Sequence, residues 1–107
     1  MLLTKKPLRY SNFFIPNNCI IGTSIASNND YERYDDLLCA DVYDHNRRFV
    51  SIEPLMGDCS LLVFRELEFV IVGAMTGKNP VIPRKEWLDS IRHERIYLKD
   101  NILKYGL

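Results

Sequence analysis

Cysteine is scarce in this 107-residue sequence, tryptophan occurs once, and opposite charges cancel. The cysteines, Cys19, Cys39 and Cys59, follow one another at intervals of 20 residues. A disulfide-stapled secreted scaffold is excluded, because it needs an even and denser set. Tight CxxC-type spacing, the usual mark of zinc or iron–sulfur ligands, is missing too. The expectation is therefore no metal bound by this chain and three reduced, mostly buried thiols. No apolar run approaches the roughly 18–20 residues that span a bilayer. Lys5 and Lys6 are followed by no apolar signal core, which leads to the expectation of a soluble, cytoplasmic protein with no membrane partner. Fourteen basic residues balance fourteen acidic ones. Without a basic excess there is no electrostatic footprint for nucleic acid. Internal repeats, linkers and low-complexity segments are also lacking.

A hydrophobic share of 47 % is ordinary for a folded chain, and the length suits one domain spanning residues 1–107. Five short apolar runs punctuate the sequence. They are Met1-Leu2-Leu3, Cys19 to Gly22, Arg48 to Ile52, Phe69 to Val72 and Ile96-Tyr97-Leu98. Their β-branched and aromatic residues read as strands. The second and fourth are nearly continuous in apolar residues, as strands covered on both faces are, and such strands belong to parallel sheets.

The connections agree with that reading. Ser27-Asn28-Asn29-Asp30 offers caps before a segment in which Tyr31, Tyr34, Leu37 and Leu38 share one helical face. Pro83 can open a second helix, with Trp87, Leu88 and Ile91 as its apolar stripe. Ile102, Leu103 and Tyr105 predict a short closing helix, and Arg9 to Asn18 a loop turning at Pro16-Asn17-Asn18. Asp58 to Glu66 reads equally as a helical turn or a packed loop. Alternating strands and helices define the α/β class. The expected architecture is a half TIM-type barrel or an open, mostly parallel five-stranded sheet with flanking helices.

Parallel α/β proteins place their sites at the carboxyl ends of the strands. Here each run ends in a hydroxyl, a charge or a glycine: Thr4-Lys5, Thr23-Ser24, Glu53, Thr76-Gly77 and Lys99. Thr4, Lys5, Ser24, Glu53, Thr76, Gly77 and Lys99 are thus the candidate ligand-binding rim. The plainer alternative is that polar residues simply mark where strands stop. Glu53 is the sharpest case, because a carboxylate between Ile52 and Pro54-Leu55 is costly unless it is paired. An ion pair with Lys99 would satisfy both residues, either as a structural tie or as a ligand clamp. Gly73 to Gly77, with Lys78, could bring backbone N–H groups to an anion, but fits neither phosphate-loop spacing. His45 and His93, and the pairs Arg47-Arg48 and Arg92/Arg95, read as solvated surface. No nucleophile-elbow pattern is present.

Arg48 to Gly57, containing Ser51-Ile52-Glu53-Pro54-Leu55, followed by Glu68 to Gly73, resembles the phage-associated, radical-SAM-like family of uncharacterised function. Leu3-Thr4-Lys5-Lys6-Pro7, Gly22-Thr23-Ser24-Ile25 and Ile96-Tyr97-Leu98-Lys99 are similar to further strand ends of that family, in the same order. The resemblance implies the second half of a TIM-type barrel. The four-iron, four-sulfur cluster and its cysteine motif would lie in the first half, which this sequence lacks. It departs from the family pattern at Ala26 and Met75, where carboxylates are usual, and at Asp100-Asn101 in place of Gln-Trp.

Five parallel strands cannot close a barrel of about eight, so unpaired edges call for a partner. The expected partner is a second copy, making a homo-oligomer, or a separate amino-terminal-half subunit. The chain alone is expected to bind no cofactor, and S-adenosylmethionine or substrate would bind only in the completed assembly. The competing reading is a non-catalytic α/β binding or assembly module, which Ala26 and Met75 favour. A nucleotide-binding domain using Gly73 to Lys78 is the third.

Overall fold

A computed structural model of the chain describes residues 1–16, 18–40, 42 and 47–107. Asn17 and His45 lie outside the described residues. Five strands, β1 (Leu2–Thr4), β2 (Ile20–Ile25), β3 (Arg47–Ile52), β4 (Phe69–Val72) and β5 (Ile96–Leu98), form one sheet. Their spatial order equals their chain order, and every neighbouring pair is parallel. Three helices flank the sheet: α1 (Tyr31–Cys39), α2 (Lys85–Asp89) and α3 (Asp100–Leu103). The architecture is an open parallel α/β sheet.

One face of the sheet carries the main core. Ile21 and Ile25 of β2, Val50 and Ile52 of β3, and Val70 and Val72 of β4 alternate onto it. Tyr34 and Leu37 of α1, Leu55, Leu62 and Phe64 of the β3–β4 connection, and Ile102 of α3 cover them. The Tyr34 ring meets Phe64 edge-on at 5.3 Å, and its hydroxyl donates to the Val63 carbonyl at 2.5 Å. Burial pushes the Tyr34 phenol up to about 12, with the nearby Glu66 charge adding to the effect.

The opposite face is built differently. Alternation and register place Gly22, Phe49 and Phe69 in one row across it, and Ser24, Ser51, Ile71 and Tyr97 in the next. Phe49 is only 2 % exposed yet stands outside the main core cluster. Its ring occupies the space left by Gly22, where an added Cβ would collide with it. It stacks on Phe69 at 5.1 Å, and Phe69 meets Tyr97 edge-on at 5.8 Å.

Several boundaries differ from the sequence expectation for local reasons. Strand β2 continues through Thr23 and Ser24 to Ile25, because the buried Thr23 hydroxyl finds the Thr4 carbonyl at 2.6 Å. Pro7–Asn12 is a 3-10 turn rather than open loop. Tyr10 anchors it, with its hydroxyl 2.9 Å from the Leu2 carbonyl and 2.7 Å from the Gly22 carbonyl and its one proton shared between them. Helix α2 is only five residues long and starts after an extended Arg84 (φ −95°, ψ 146°) rather than at Pro83. Asp58 to Glu66 is a packed loop, with Leu62 and Phe64 inside and Leu61 and Val63 outside.

Two charged side chains expected on the surface have structural work. Arg48 reaches the end of α1, donating from Nε to the Leu37 carbonyl (3.0 Å) and from a terminal nitrogen to Ala40 (3.2 Å). Each of these carbonyls also accepts a backbone amide, Leu37 from Ala40 (3.4 Å) and Ala40 from Val42 (3.1 Å), so Arg48 adds a second, charged donor at the helix end. His93 joins the starts of β4 and β5. Its Nε2 lies 2.8 Å from the Leu67 carbonyl, and its Nδ1 accepts from the Arg95 amide at 2.9 Å.

Candidate ligand site at the strand carboxyl ends

Strands β3 and β5 are not neighbours, yet the residues just beyond them meet across the end of β4. Lys99 Nζ donates to Glu53 Oε1 at 2.9 Å. Asn101, in the first turn of α3, donates from Nδ2 to Glu53 Oε2 at 3.3 Å. Its Oδ1 accepts from the Ala74 amide at 2.9 Å. The carboxylate therefore has a separate partner on each oxygen.

Backbone geometry fixes this cluster from below. The Gly73 amide donates to the Ile52 carbonyl, the Leu55 amide to the Gly73 carbonyl, and the Lys99 amide to the Val72 carbonyl, each at 2.9 Å. These bonds draw the ends of β3, β4 and β5 level. Gly73 is required by space, since an added Cβ would sit 2.5 Å from Glu53 Oε2 and 3.2 Å from Asn101 Oδ1. The Glu53–Pro54 peptide is cis. Glu53 remains partly open, with its side chain 29 % exposed against 49 % for Lys99. Both charged groups therefore remain in contact with solvent.

The other rim candidates are distributed differently. Ser24 lies inside β2, on the same face as Ser51 and Glu53, and its carbonyl accepts from Arg33 at 2.8 Å. Thr4 pairs in register with Thr23 and so belongs to the helix-side face. Its hydroxyl accepts from the Lys6 amide at 3.1 Å. Lys5 is exposed and lines a separate cleft of about 490 Å³ with Lys6, Arg9, Glu32 and Asp36. Thr76 and Gly77 are exposed beyond β4, and Gly77 adopts a left-handed φ of 101°. Only Glu53 and Lys99 of the seven candidates touch each other through their side chains.

Asn101 has no counterpart among the sequence candidates. Its position two residues beyond Lys99, in the first turn of a helix, is the signal that could have pointed to it. At the two other departures from the resembled pattern, backbone amides take different partners. Ala26 N–H donates to Asp30 Oδ2 at 2.6 Å, and the Met75 sulfur accepts from the Val81 amide at 3.4 Å.

The cysteines do not assemble a metal-binding set. Cys19 is half-buried before β2, Cys39 is exposed at the end of α1, and Cys59 is buried. Among the described residues no three His, Cys, Asp or Glu side chains converge on a metal-sized site. Burial, together with the charges of Asp58 and Asp30, pushes the Cys59 thiol up to about 12. No helix among the described residues is long and apolar enough to cross a membrane.

The molecule is an open parallel α/β protein with a charged cluster at the carboxyl ends of its strands. The chain belongs to the family described as "Protein of unknown function (DUF5131)", whose model matches residues 1–98. No curated protein and no solved structure matches it.

Proposed function

We propose that the chain is the ligand-presenting half of a radical-SAM-like barrel. In this reading the rim around Glu53 and Lys99 binds S-adenosylmethionine or a substrate once a partner chain completes the sheet. The observation that carries it is the Glu53–Lys99–Asn101 cluster, which holds an anion and a cation side by side at the strand ends. The α-amino acid end of S-adenosylmethionine carries one ammonium and one carboxylate. Glu53 suits the first and Lys99 the second by exchange of their mutual ion pair. Asn101 then keeps the carboxylate oriented through its remaining contact. When bound, S-adenosylmethionine would supply a reductively cleavable sulfonium. The resemblance around Ser51 to Leu55 supports this choice of ligand.

The cysteines of this chain do not fit a four-iron, four-sulfur cluster, so no step is assigned through one. The second reading, a non-catalytic binding or assembly module, is favoured by Ala26 and Met75, which put no carboxylate where the resembled pattern has one. Calorimetry separates the two. The rim reading expects S-adenosylmethionine to bind the completed assembly, and Glu53→Gln with Lys99→Met to abolish that binding. Co-expression with a polypeptide carrying a CxxxCxxC motif, followed by iron analysis and visible spectroscopy, tests the cluster-bearing partner. Absence of binding in every assembled form leaves the module reading.

A further inference from the structure

The two edges of the sheet bear apolar grooves on the same, helix-covered side. At β1 a groove of about 330 Å³ is lined by Leu2, Tyr10, Ile15 and Arg9, with Phe13 and Phe14 standing 69 % and 78 % exposed. At β5 a groove of about 360 Å³ is lined by Leu88, Ile91, Ile96 and Leu98, together with Asp89. On the other side of the sheet, Leu3 at one edge and Tyr97 at the opposite edge are 56 % and 59 % exposed. Exposed aromatic residues beside an unpaired strand mark an interaction surface.

We infer that these two edges fit each other, and that the partner is a second copy of this chain joined head to tail. The direction of the strands permits it. All five are parallel and in chain order, so β1 of one copy can continue the sheet after β5 of another without reversing direction. Both edge strands are three residues long. Phe13 supplies a protruding apolar ring, and the α2–β5 groove supplies its seat. Arg9 borders the first groove and Asp89 the second, where an incoming Arg9 would share the Asp89 carboxylate with Lys85, now 3.6 Å from it. On the far side, Tyr97 of one copy, which already meets Phe69 edge-on, comes beside Leu3 of the other. A two-fold axis along the strands repeats the contact and joins two five-stranded sheets into one closed barrel.

This inference rests on the incomplete-barrel reading for its geometry but not on what the rim binds. It assigns both edges to a second copy, leaving neither for a separate amino-terminal-half subunit. Light scattering after size exclusion should give twice the 12.5 kDa chain mass. Phe13→Glu, a change at an exposed ring, should give a monomer with an unchanged circular dichroism spectrum. Arg9→Glu should weaken the dimer about tenfold, and adding Asp89→Arg should restore it. A wild-type monomer at the highest soluble concentration overturns the inference, as does a dimer indifferent to Phe13→Glu. Mass is read without ligand, so failure of the rim reading appears separately in calorimetry.

Discussion

The ring of Phe49 fills the place where Gly22, its register partner on β2, would carry a side chain. The pair makes a small second core on the face away from the helices, and glycine is the residue that allows it. Gly22→Ala should therefore lower stability by about 1–3 kcal/mol through overpacking. Adding Phe49→Leu should return part of that loss. Urea unfolding of the two single variants and the double variant gives the coupling, and simple additivity would sink the argument.

Gly73→Ala tests the crowding around Glu53. The new methyl group cannot coexist with Glu53 Oε2 in its present position, so the carboxylate must leave Asn101. The fold should persist with a loss of about 1 kcal/mol, and any ligand binding at the rim should disappear. An unaltered carbon resonance for the Glu53 carboxylate would show that the cluster is looser than described.

Arg48→Met should loosen the end of α1. It removes the donors to the Leu37 and Ala40 carbonyls while keeping the aliphatic stem. A cost of about 1–2 kcal/mol is expected, with faster amide exchange confined to the last turn of α1. Uniform acceleration across the sheet would contradict a local role.

Thiol chemistry and alkaline pH offer a third kind of test. Exposed Cys39 should react promptly with a thiol reagent, whereas buried Cys59 should react only on unfolding. Both Cys59 and Tyr34 have folded values raised to about 12, from ordinary values of 9.0 and 10.0. Their neutral forms are the ones the folded state holds. Their contribution is thus full below about pH 9 and is lost as pH climbs toward 12. Thermal unfolding followed between pH 8 and 11 should show a falling midpoint, less steep in Tyr34→Phe.

Strands and class were readable because apolar runs such as Phe69 to Val72 are dense in β-branched residues and short, and their limits coincide with β4. The meeting of Glu53 with Lys99 was foreseeable from the cost of a lone carboxylate beside Ile52. Asn101 left only its place two residues beyond Lys99 as a signal, and Arg48 was not foreseeable, since it acts on carbonyls that only the fold brings near. His93 escaped for the same reason: polar neighbours in the chain say nothing of the Leu67 carbonyl it meets. The continuation of β2 through Thr23 depended on a hydroxyl finding the Thr4 carbonyl, which no periodicity encodes.

The sheet is not equally firm across its width. Strands β2 and β3 share six paired residues, β3 and β4 four, and each outer pairing only three. Glu53 follows the firm centre, while Lys99 follows a strand that is outermost within a single copy and opens more readily there. Breathing of β5 would withdraw the cation and leave the anion in place, so the rim would alternate between a closed, self-neutralised state and an open, negatively charged one.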